Sequence, residues 1–311
     1  MQHQVKSCLA DLNHRMKNKF LVLCLLVTAA LLGCGGGGGG GASGGGVNAG
    51  GGGTGSTVSQ FVSGPWLSGS RHIAFVGTDL YVANAGSSEV IKVDAAGNHT
   101  SLLSIASPFG ITAHGSDVYV TGTIGGLSKA YLVANGSSLT PTCNCYGVAF
   151  DGTHLAFSDQ TGVNTSGTTT YPVKTFINAV SYRVTQIASK PTGLIFYNTF
   201  LYVTRNEAST SGAIQKIDLT TNTVTDVAGS ALFNRPNAIA VNPSNGDFYV
   251  VNDGDGKVLK VSGGTVTVHL DSSNGLCSPG GVAIGGDGLL YVSNGACAGG
   301  NGNGFILKAS L

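Results

Sequence analysis

One block of sequence recurs six times along this chain, and this repeat limits the fold more than any other feature. Each copy has a turn of the Pro-x-Gly type, an apolar pair, a turn rich in Gly, Asp or Asn, and a Leu-Tyr-Val-like segment ending in a polar residue. The central residues of these segments are 38, 37, 46, 47 and 42 residues apart. They are Tyr81, Tyr119, Ala156, Tyr202, Tyr249 and Tyr291. A repeat of this length is typical of arrays in which each unit is one supersecondary element.

Each copy continues with short runs in which apolar and polar residues alternate. In the fifth copy these runs are residues 257–261 and 265–268. Alternation with a period of two residues predicts β-strands, and four short strands per repeat correspond to one propeller blade. We therefore predict an all-β fold, a six-bladed β-propeller. A seven-bladed ring and an open solenoid are the alternatives.

The two ends of the repeat array are complementary. The sixth copy stops after its third predicted strand, residues 305–309, while an alternating segment, residues 57–62, stands alone before the first copy. This N-terminal strand would complete the last blade and pair the sheet edges that a closed ring cannot leave open. The predicted propeller domain therefore spans residues 57–311.

The N-terminal region has the organisation of an export signal. Basic residues around Met16 precede an apolar run, residues 20–32, which as a helix would span only about 20 Å of a roughly 30 Å hydrocarbon core. The run leads into Leu-Leu-Gly-Cys34, which resembles the lipobox of bacterial lipoproteins. The resemblance implies that residues 1–33 are a signal peptide and that Cys34 is lipidated. An ordinary signal peptide with a chance cysteine is the alternative, and Met16 is an alternative start.

A glycine-rich segment, residues 34–56 with the lipidated cysteine included, joins the signal to the propeller. Such segments behave as flexible coils, so this one would hold the domain some tens of ångströms from a membrane. We expect an extracytoplasmic location in the cell envelope, with the lipid anchor as the only membrane contact. Gly35 in place of aspartate would favour the outer membrane in a Gram-negative organism.

The charge of the exported part is nearly balanced. Four of the 16 basic residues and one of the 15 acidic residues precede Cys34, which leaves 12 basic and 14 acidic residues. This balance gives no basic surface of the kind that binds nucleic acid. We therefore predict no nucleic-acid partner, and we expect a monomer.

The repeats resemble the NHL and YVTN classes of β-propeller repeat. The resemblance rests on Pro-x-Gly-Ile/Val-Ala followed by Leu-Tyr-Val-Ala/Ser/Thr-Asp/Asn, and it covers nearly all of residues 57–311. It implies the fold but no single function, because such repeats occur in lyases, lactonases, peptide-amidating enzymes and binding scaffolds. Gluconolactonase-like propellers hold a divalent metal through a Glu on an inner strand, but Glu89 and Glu207 lie on no Pro-x-Gly strand. The His/Glu pair of streptogramin lyases has no assignable counterpart.

Two rings of residues are expected on one face of the propeller, where the loops entering the first strands and those following the second strands meet. The first ring contains Arg71, Phe109, Tyr146, Thr192, Asn237 and Gly280. The second ring contains Asn84, Gly122, Asp159, Arg205, Asn252 and Asn294. The mixture of guanidinium, aromatic rings and carboxamide in the first ring suits a small polar ligand or a peptide end. The Asn and Asp side chains of the second ring could instead cap their own loops.

His72 occupies a position at which every other copy has Gly or Ala. Near the channel it could bind a ligand or act as a general base, or it could be a hydrogen-bonded packing residue. No cofactor is predicted. Residues 252–256 carry three oxygen-bearing side chains that could hold Ca²⁺, but they lack the distal glutamate of an EF-hand, and Asp-Gly is common in turns.

Besides the lipidated Cys34, four cysteines remain after the predicted cleavage, an even number that suits an oxidising compartment. Cys277 precedes the first strand of the sixth copy and Cys297 follows the second, so both should lie on one face, and a disulfide between them is the preferred pairing. Cys143 and Cys145 would then form a short disulfide ring or remain thiols. A Cys-x-Cys pair can also bind a soft metal such as Zn²⁺, but two ligands make an incomplete site.

These features favour a membrane-anchored binding or scaffold module that recognises a protein or small envelope ligand on its channel face. The first alternative is a metal-dependent hydrolase or lyase that uses His72 at the channel mouth. The second is a structural protein of surface assembly. The sequence offers no clustered acid and base and no three-ligand metal set, which favours binding over catalysis.

Overall fold

The computed structural model describes residues 56–176, 182–206, 214–295 and 303–311. In these segments the chain forms six antiparallel sheets, and the first strands of consecutive blades contact one another all around the ring. The predicted six-bladed β-propeller is confirmed. Cys34, the predicted signal peptide and Cys297 lie outside the described residues. Within the described segments, no helix is long and apolar enough to cross a membrane.

Strand β1 (Val58–Gly64) opens the described chain, and the first three blades follow it. Blade 1 contains β2–β5, which span Ser70–Val76, Asp79–Asn84, Glu89–Val93 and His99–Ser104. Blade 2 contains β6–β8, which span Ile111–His114, Asp117–Ile124 and Leu127–Leu132. Blade 3 contains β9–β13, which span Cys145–Phe150, Leu155–Asp159, Val163–Thr165, Thr168–Phe176 and Tyr182–Ile187.

The other three blades repeat this order, with the first strand innermost. Blade 4 contains β14–β17, which span Pro191–Tyr197, Phe200–Arg205, Ile214–Asp218 and Thr223–Ala228. Blade 5 contains β18–β21, which span Pro236–Val241, Phe248–Asn252, Lys257–Ser262 and Thr265–Leu270. After a single 3₁₀ turn (Ser272–Asn274), blade 6 contains β22–β24, which span Pro279–Ile284, Leu290–Asn294 and Gly304–Ala309.

The N-terminal strand closes the ring. Strand β1 pairs with β24 from Val58 opposite Ala309 to Gly64 opposite Gly304, so the order in blade 6 is β22-β23-β24-β1. The predicted closure by residues 57–62 is confirmed, and the strand continues to Gly64. First and last strands thereby remove the two sheet edges that a linear array would expose.

Blade 2 departs from the four regular strands that the repeat predicts. Within the described residues its outer segment is reduced to one isolated bridge between Tyr131 and Ser138, supported by a hydrogen bond from Leu139 N to Ala130 O of 2.8 Å. Pro141 follows directly and has no N–H with which to continue the ladder. The outer edge of this blade is therefore irregular.

The core is a series of apolar layers between neighbouring blades. Every residue of the second strands β10, β19 and β23 is buried, because a neighbouring blade covers each face. The outer strand β5 is almost entirely exposed. A typical layer joins Leu132 of blade 2 to Phe157 of blade 3. Burial thus falls from the ring axis to the rim.

A side-chain hydroxyl on the second strand links four of the described blades to the next blade. In blade 4, Oγ1 of Thr204 accepts a hydrogen bond from N of Gly193 on its own inner strand (2.8 Å). The same hydroxyl contacts the carbonyl oxygen of Asn237 in blade 5 at 3.1 Å. Equivalent contacts to the next inner strand are made by Thr121, Ser158 and Ser293. We call these four hydroxyl groups the blade latches.

Glycine allows neighbouring inner strands to approach each other directly. A Cβ atom on Gly147 would lie 1.9 Å from the carbonyl oxygen of Thr192 in the next blade, and one on Gly193 would lie 2.5 Å from that of Asn237. No side chain fits at such distances. Backbone therefore packs against backbone around the axis, within reach of the blade latches.

Removing one blade latch should weaken the fold. Thr204→Val keeps the side-chain shape but deprives the buried Gly193 N–H and Asn237 carbonyl of this partner, so we expect the free energy of unfolding to fall by about 1–3 kcal/mol. Chemical denaturation measures it. Thr225→Val, on the exposed outer strand β17, is the control and should change it by less than about 0.5 kcal/mol. Equal losses in both variants would contradict the latch.

Candidate ligand site at the channel mouth

Three side chains of the first predicted ring form a continuous row at the channel mouth. Arg71, Phe109 and Tyr146 come from blades 1, 2 and 3, and all are half-buried. The guanidinium carbon of Arg71 lies 5.5 Å from the centroid of the Phe109 ring, and the Phe109 and Tyr146 ring centroids are 4.3 Å apart. We call these three residues the mouth row. They offer one cation and two aromatic rings side by side.

His72 lies at the inner edge of blade 1, next to the mouth row. Its Nε2 is 3.4 Å from Oδ1 of Asn237, and its ring centroid is 5.0 Å from that of Phe109. His72 belongs to blade 1 and Asn237 to blade 5, so this contact links two blades that blade 6 separates in the ring. Asn237 precedes the position in its own repeat that corresponds to His72.

The environment of His72 keeps its imidazole neutral. Burial lowers its pKa to about 4, because a charged ring would lose its hydration. The hydrogen bond with Asn237 opposes this shift, and the positive charge of Arg71 adds to it. At pH 7 the ring therefore has one N–H donor and one acceptor nitrogen.

The remaining members of the first ring are enclosed by the fold. Thr192 and Asn237 are only 2% and 3% exposed. The Thr192 hydroxyl lies 2.9 Å from the Thr204 hydroxyl and 2.9 Å from the carbonyl oxygen of Pro236, so it serves the junction between blades 4 and 5. Gly280 packs against blade 1, where a Cβ would lie 2.2 Å from the Ser70 carbonyl oxygen. The half-exposed part of the ring is the mouth row.

The Asn and Asp side chains of the second ring bond to loop backbone within their own blades. Oδ1 of Asn294, for example, accepts hydrogen bonds from N of Cys277 (3.1 Å) and N of Ser278 (2.9 Å). Side-chain oxygens of Asn84 and Asp159 accept in the same way, whereas Asn252 donates from Nδ2 to the carbonyl oxygen of Leu232 (2.7 Å). Arg205 is buried at the end of β15. The geometry thus matches the loop-capping alternative, and ligand binding by this ring stays a prediction.

The described residues do not fit the divalent-metal site that a gluconolactonase-like propeller implies. The six inner strands carry no acidic residue, Glu89 opens β4 instead, and Glu207 lies outside the described residues. Among residues that the structure describes, no group of three or more His, Cys, Asp or Glu could hold a metal ion. In the turn at 252–256, Asp255 is ion-paired with Lys257 at 2.9 Å.

The cysteine pair in blade 3 is oxidised. Cys143 and Cys145 form a disulfide with their Cα atoms 5.1 Å apart, which settles the choice between a short ring and two thiols. Cys277 is also disulfide-bonded. Its predicted partner Cys297 lies outside the described residues, so that pairing stays a prediction.

A groove of about 490 Å³ on blade 3 was not predicted from the sequence. Its lining includes Cys143, Lys174 and Val184, and the last two are paired across β12 and β13. Burial alone would raise the pKa of Asp159 in this groove, but hydrogen bonds from Lys174 (2.8 Å) and Thr161 outweigh it and lower the pKa. The repeat pattern gives no signal for residues on outer strands, but the Cys-x-Cys motif and the second-ring residue Asp159 both belong to this region.

Solved structures with the same fold include enzymes. A streptogramin B lyase is 14% identical over 83% of this chain and 98% of its own, with a TM-score of 0.58. A gluconolactonase from Xanthomonas campestris is 13% identical over 82% and 90%, with a TM-score of 0.60. A luciferin-regenerating enzyme is 14% identical over 83% and 96%, with a TM-score of 0.56. At these identities the similarity shows the propeller fold alone. No protein-family model and no curated protein matches the chain.

The neutral state of His72 predicts an acid-sensitive fold. Its pKa is lowered from 6.5 to about 4, so the unfolded chain gains a proton before the folded protein does. The free energy of unfolding is therefore highest above pH 6.5. It falls by up to about 3 kcal/mol as the pH falls towards 4, because protonation then favours the unfolded chain. Denaturation at pH 7, 5 and 4 should show a smaller loss for His72→Gln than for the native protein.

The matched control for this effect is His114→Gln, at the exposed end of β6. This variant should keep the acid sensitivity of the native protein. Identical pH profiles for the native protein and His72→Gln would show that His72 is not buried as a neutral ring.

Proposed function

We propose that this protein is a binding module whose channel mouth takes a small ligand with an anionic group on a flat apolar body. The mouth row carries the proposal: the Arg71 guanidinium lies over the Phe109 ring, with Tyr146 beside it. A guanidinium suits bidentate binding of carboxylate or phosphate, and aromatic rings stack on flat apolar groups. Among the described residues, Arg71 has no ion-pair partner.

His72 would form the inner wall of such a site. Its imidazole contacts both Phe109 and Asn237. A ligand would therefore rest on the mouth row and meet a neutral hydrogen-bonding ring at its inner end. Because His72 is uncharged at pH 7, the positive charge of the site comes from Arg71.

We further propose that a lipid on Cys34 holds the domain in the cell envelope as a monomer. The position of β1 supports a mouth that faces away from this anchor. Val58 pairs with Ala309, which pairs with Leu290 at the edge where inner and second strands are joined. The mouth row lies at the opposite edge. The glycine-rich tether would thus leave the propeller on the side away from the ligand.

Loss of the guanidinium should abolish selectivity for anions. We expect Arg71→Ala to weaken binding of benzoate at least tenfold, because a charge-assisted hydrogen-bond pair is worth about 1.5–3 kcal/mol. Binding of benzamide, a neutral probe of the same shape, should change little. Titration calorimetry or ligand-observed NMR measures both affinities.

Arg235→Ala is the matched control for this experiment. Arg235 is also near the start of an inner strand, but its side chain is 52% exposed and lies 3.8 Å from Asp253. This variant should bind benzoate as the native protein does. Benzoate binding that survives Arg71→Ala, or that is lost equally in Arg235→Ala, would contradict the assignment of the site.

A hydrolase or lyase acting at the same mouth is the second candidate function. The observation in its favour is the buried neutral imidazole of His72, which could act as a base towards a ligand on the mouth row. Turnover of lactones or esters that disappears in His72→Gln, while benzoate affinity is kept, would replace the binding proposal with this one. The absence of turnover alongside Arg71-dependent binding supports the binding module.

The anchor is tested by its cysteine. We expect Cys34→Ser to move the protein from the membrane fraction to the soluble fraction of the producing bacterium, because an acyl chain supplies about 0.8 kcal/mol of membrane affinity per buried methylene group. Incorporation of labelled fatty acid into the native protein, but not into the variant, completes the measurement. Cys277→Ser is the control and should remain in the membrane fraction.

A further inference from the structure

We infer that the Cys143–Cys145 disulfide is a thiol–disulfide exchange site, and that the thiol with which it reacts enters through the groove on blade 3. The proposed ligand site does not include this groove. The mouth row lies on the inner strands of blades 1 to 3, whereas the lining of the groove includes Lys174 and Val184 on the outer strands β12 and β13 and no residue of the mouth row. The two sites are therefore separate surfaces of the same blade ring.

The two cysteines of the pair differ in their access to the groove. Cys143 is part of the groove lining, next to Asn144. Cys145 opens the inner strand β9, is 5% exposed and is not part of that lining. Both cysteines pack in the apolar layer that includes Tyr119 and Leu155, with Cys143 9% exposed. An incoming thiolate from the groove therefore meets Cys143 first, and Cys145 becomes the leaving group.

The disulfide contributes little to the conformational stability of its own loop. The ring spans a sequence separation of two residues, so closing it removes little entropy from the unfolded chain. Backbone bonds already hold this segment: N of Cys143 donates to Ser128 O at 3.0 Å, and N of Gln160 donates to Asn144 O at 2.9 Å. Asn144 N also donates to Oδ1 of Asp159 at 3.3 Å. The loop can therefore keep its place when the disulfide opens, as reversible exchange requires.

A buried hydroxyl lies near the Cys143 sulfur and can stabilise it after reduction. Oγ1 of Thr140 lies 3.8 Å from Sγ of Cys143, and Thr140 is 6% exposed. In the oxidised protein this is a weak contact. After reduction the hydroxyl can donate a hydrogen bond to the Cys143 thiolate, which favours the charged form and so favours exchange at this sulfur.

The exchange balances without any further co-reactant. A thiolate attacks Sγ of Cys143, the bond between the two cysteine sulfurs breaks, and Cys145 leaves as a thiolate that takes a proton from water. A second external thiolate attacks the sulfur of the bound thiol and releases Cys143 as thiolate. Two external thiols are thereby oxidised to one disulfide, and the protein disulfide is reduced to two thiols. The reverse reaction with an external disulfide restores the starting state.

Single-cysteine variants test the inferred direction of attack. The full-length protein with Cys145→Ser keeps the groove sulfur, and the protein with Cys143→Ser keeps the core sulfur. Both are incubated under native conditions with oxidised glutathione, and mixed disulfides are located by peptide mass spectrometry. We expect Cys143 to be glutathionylated at least ten times faster than Cys145.

The outcomes separate exchange from a structural disulfide. Fast modification of Cys143 in folded Cys145→Ser supports the site. Equal rates at the two cysteines, or modification of Cys143 only after denaturation, would overturn it. A double variant, Cys143→Ser with Cys145→Ser, lacks only this disulfide and keeps that of Cys277, so its melting temperature should lie within a few degrees of the native value. A double variant that does not fold would also overturn the proposal.

Thr140 provides a second readout that does not depend on disulfide geometry. In the Cys145→Ser background, Thr140→Val should raise the pKa of the Cys143 thiol and slow its modification several-fold at neutral pH. Thr140→Ser restores a hydroxyl and should restore the rate. If the Thr140→Val variant reacts as fast as its parent, the hydroxyl has no part in the exchange. This result does not depend on benzoate binding at the mouth row, so the two proposals can fail separately.

Discussion

Direct backbone contact between neighbouring inner strands is the constraint on which the rest of this propeller depends. Gly147 and Gly193 sit so close to the next blade that a single added carbon would overlap a carbonyl oxygen. The blade latches then use these same carbonyl groups as acceptors. Tight packing at the axis leaves few positions at which a side chain can project inward. In blade 1 that position holds His72, where the other copies have Gly or Ala, and its ring contacts Phe109 of blade 2 and Asn237 of blade 5.

The sequence was sufficient for much of this architecture because its information was periodic. The pattern is repeated six times, and the copies agree with one another. It therefore predicts the number of blades, the order of their strands and the closure by the N-terminal segment. The mouth row was also accessible, since aligning the copies places Arg71, Phe109 and Tyr146 at equivalent positions. The alignment could not predict which of the equivalent side chains are exposed and which are buried at a blade junction. Thr192 turns to the blade junction, whereas Tyr146 remains half-exposed.

Features that break the periodicity could not be predicted in the same way. The groove on blade 3 brings together the loop before β9 and the outer strands β12 and β13, which no repeat unit encodes as neighbours. The irregular edge of blade 2 depends on Pro141, a local departure that the averaged pattern hides. The residues of the blade latches are visible in the sequence as Thr or Ser at one position of the second strand. Their acceptors belong to the next repeat, so only the assembled ring shows the bond.

Closure by the first and last strands has a consequence for the order in which this protein can be completed. Thr57 and Ser310 are joined by a hydrogen bond across a sequence separation of 253 residues. A ribosome delivers the chain from its N-terminus, so β1 stays without its partner until β24 has been synthesised. Until then both ends of the array present unpaired strands, the condition under which chains aggregate or are cleaved. Contacts of such long range also slow the final step. The distance along the chain between β1 and β24 thus sets how long β1 stays unpaired during synthesis, and a chain without β24 would leave that edge open.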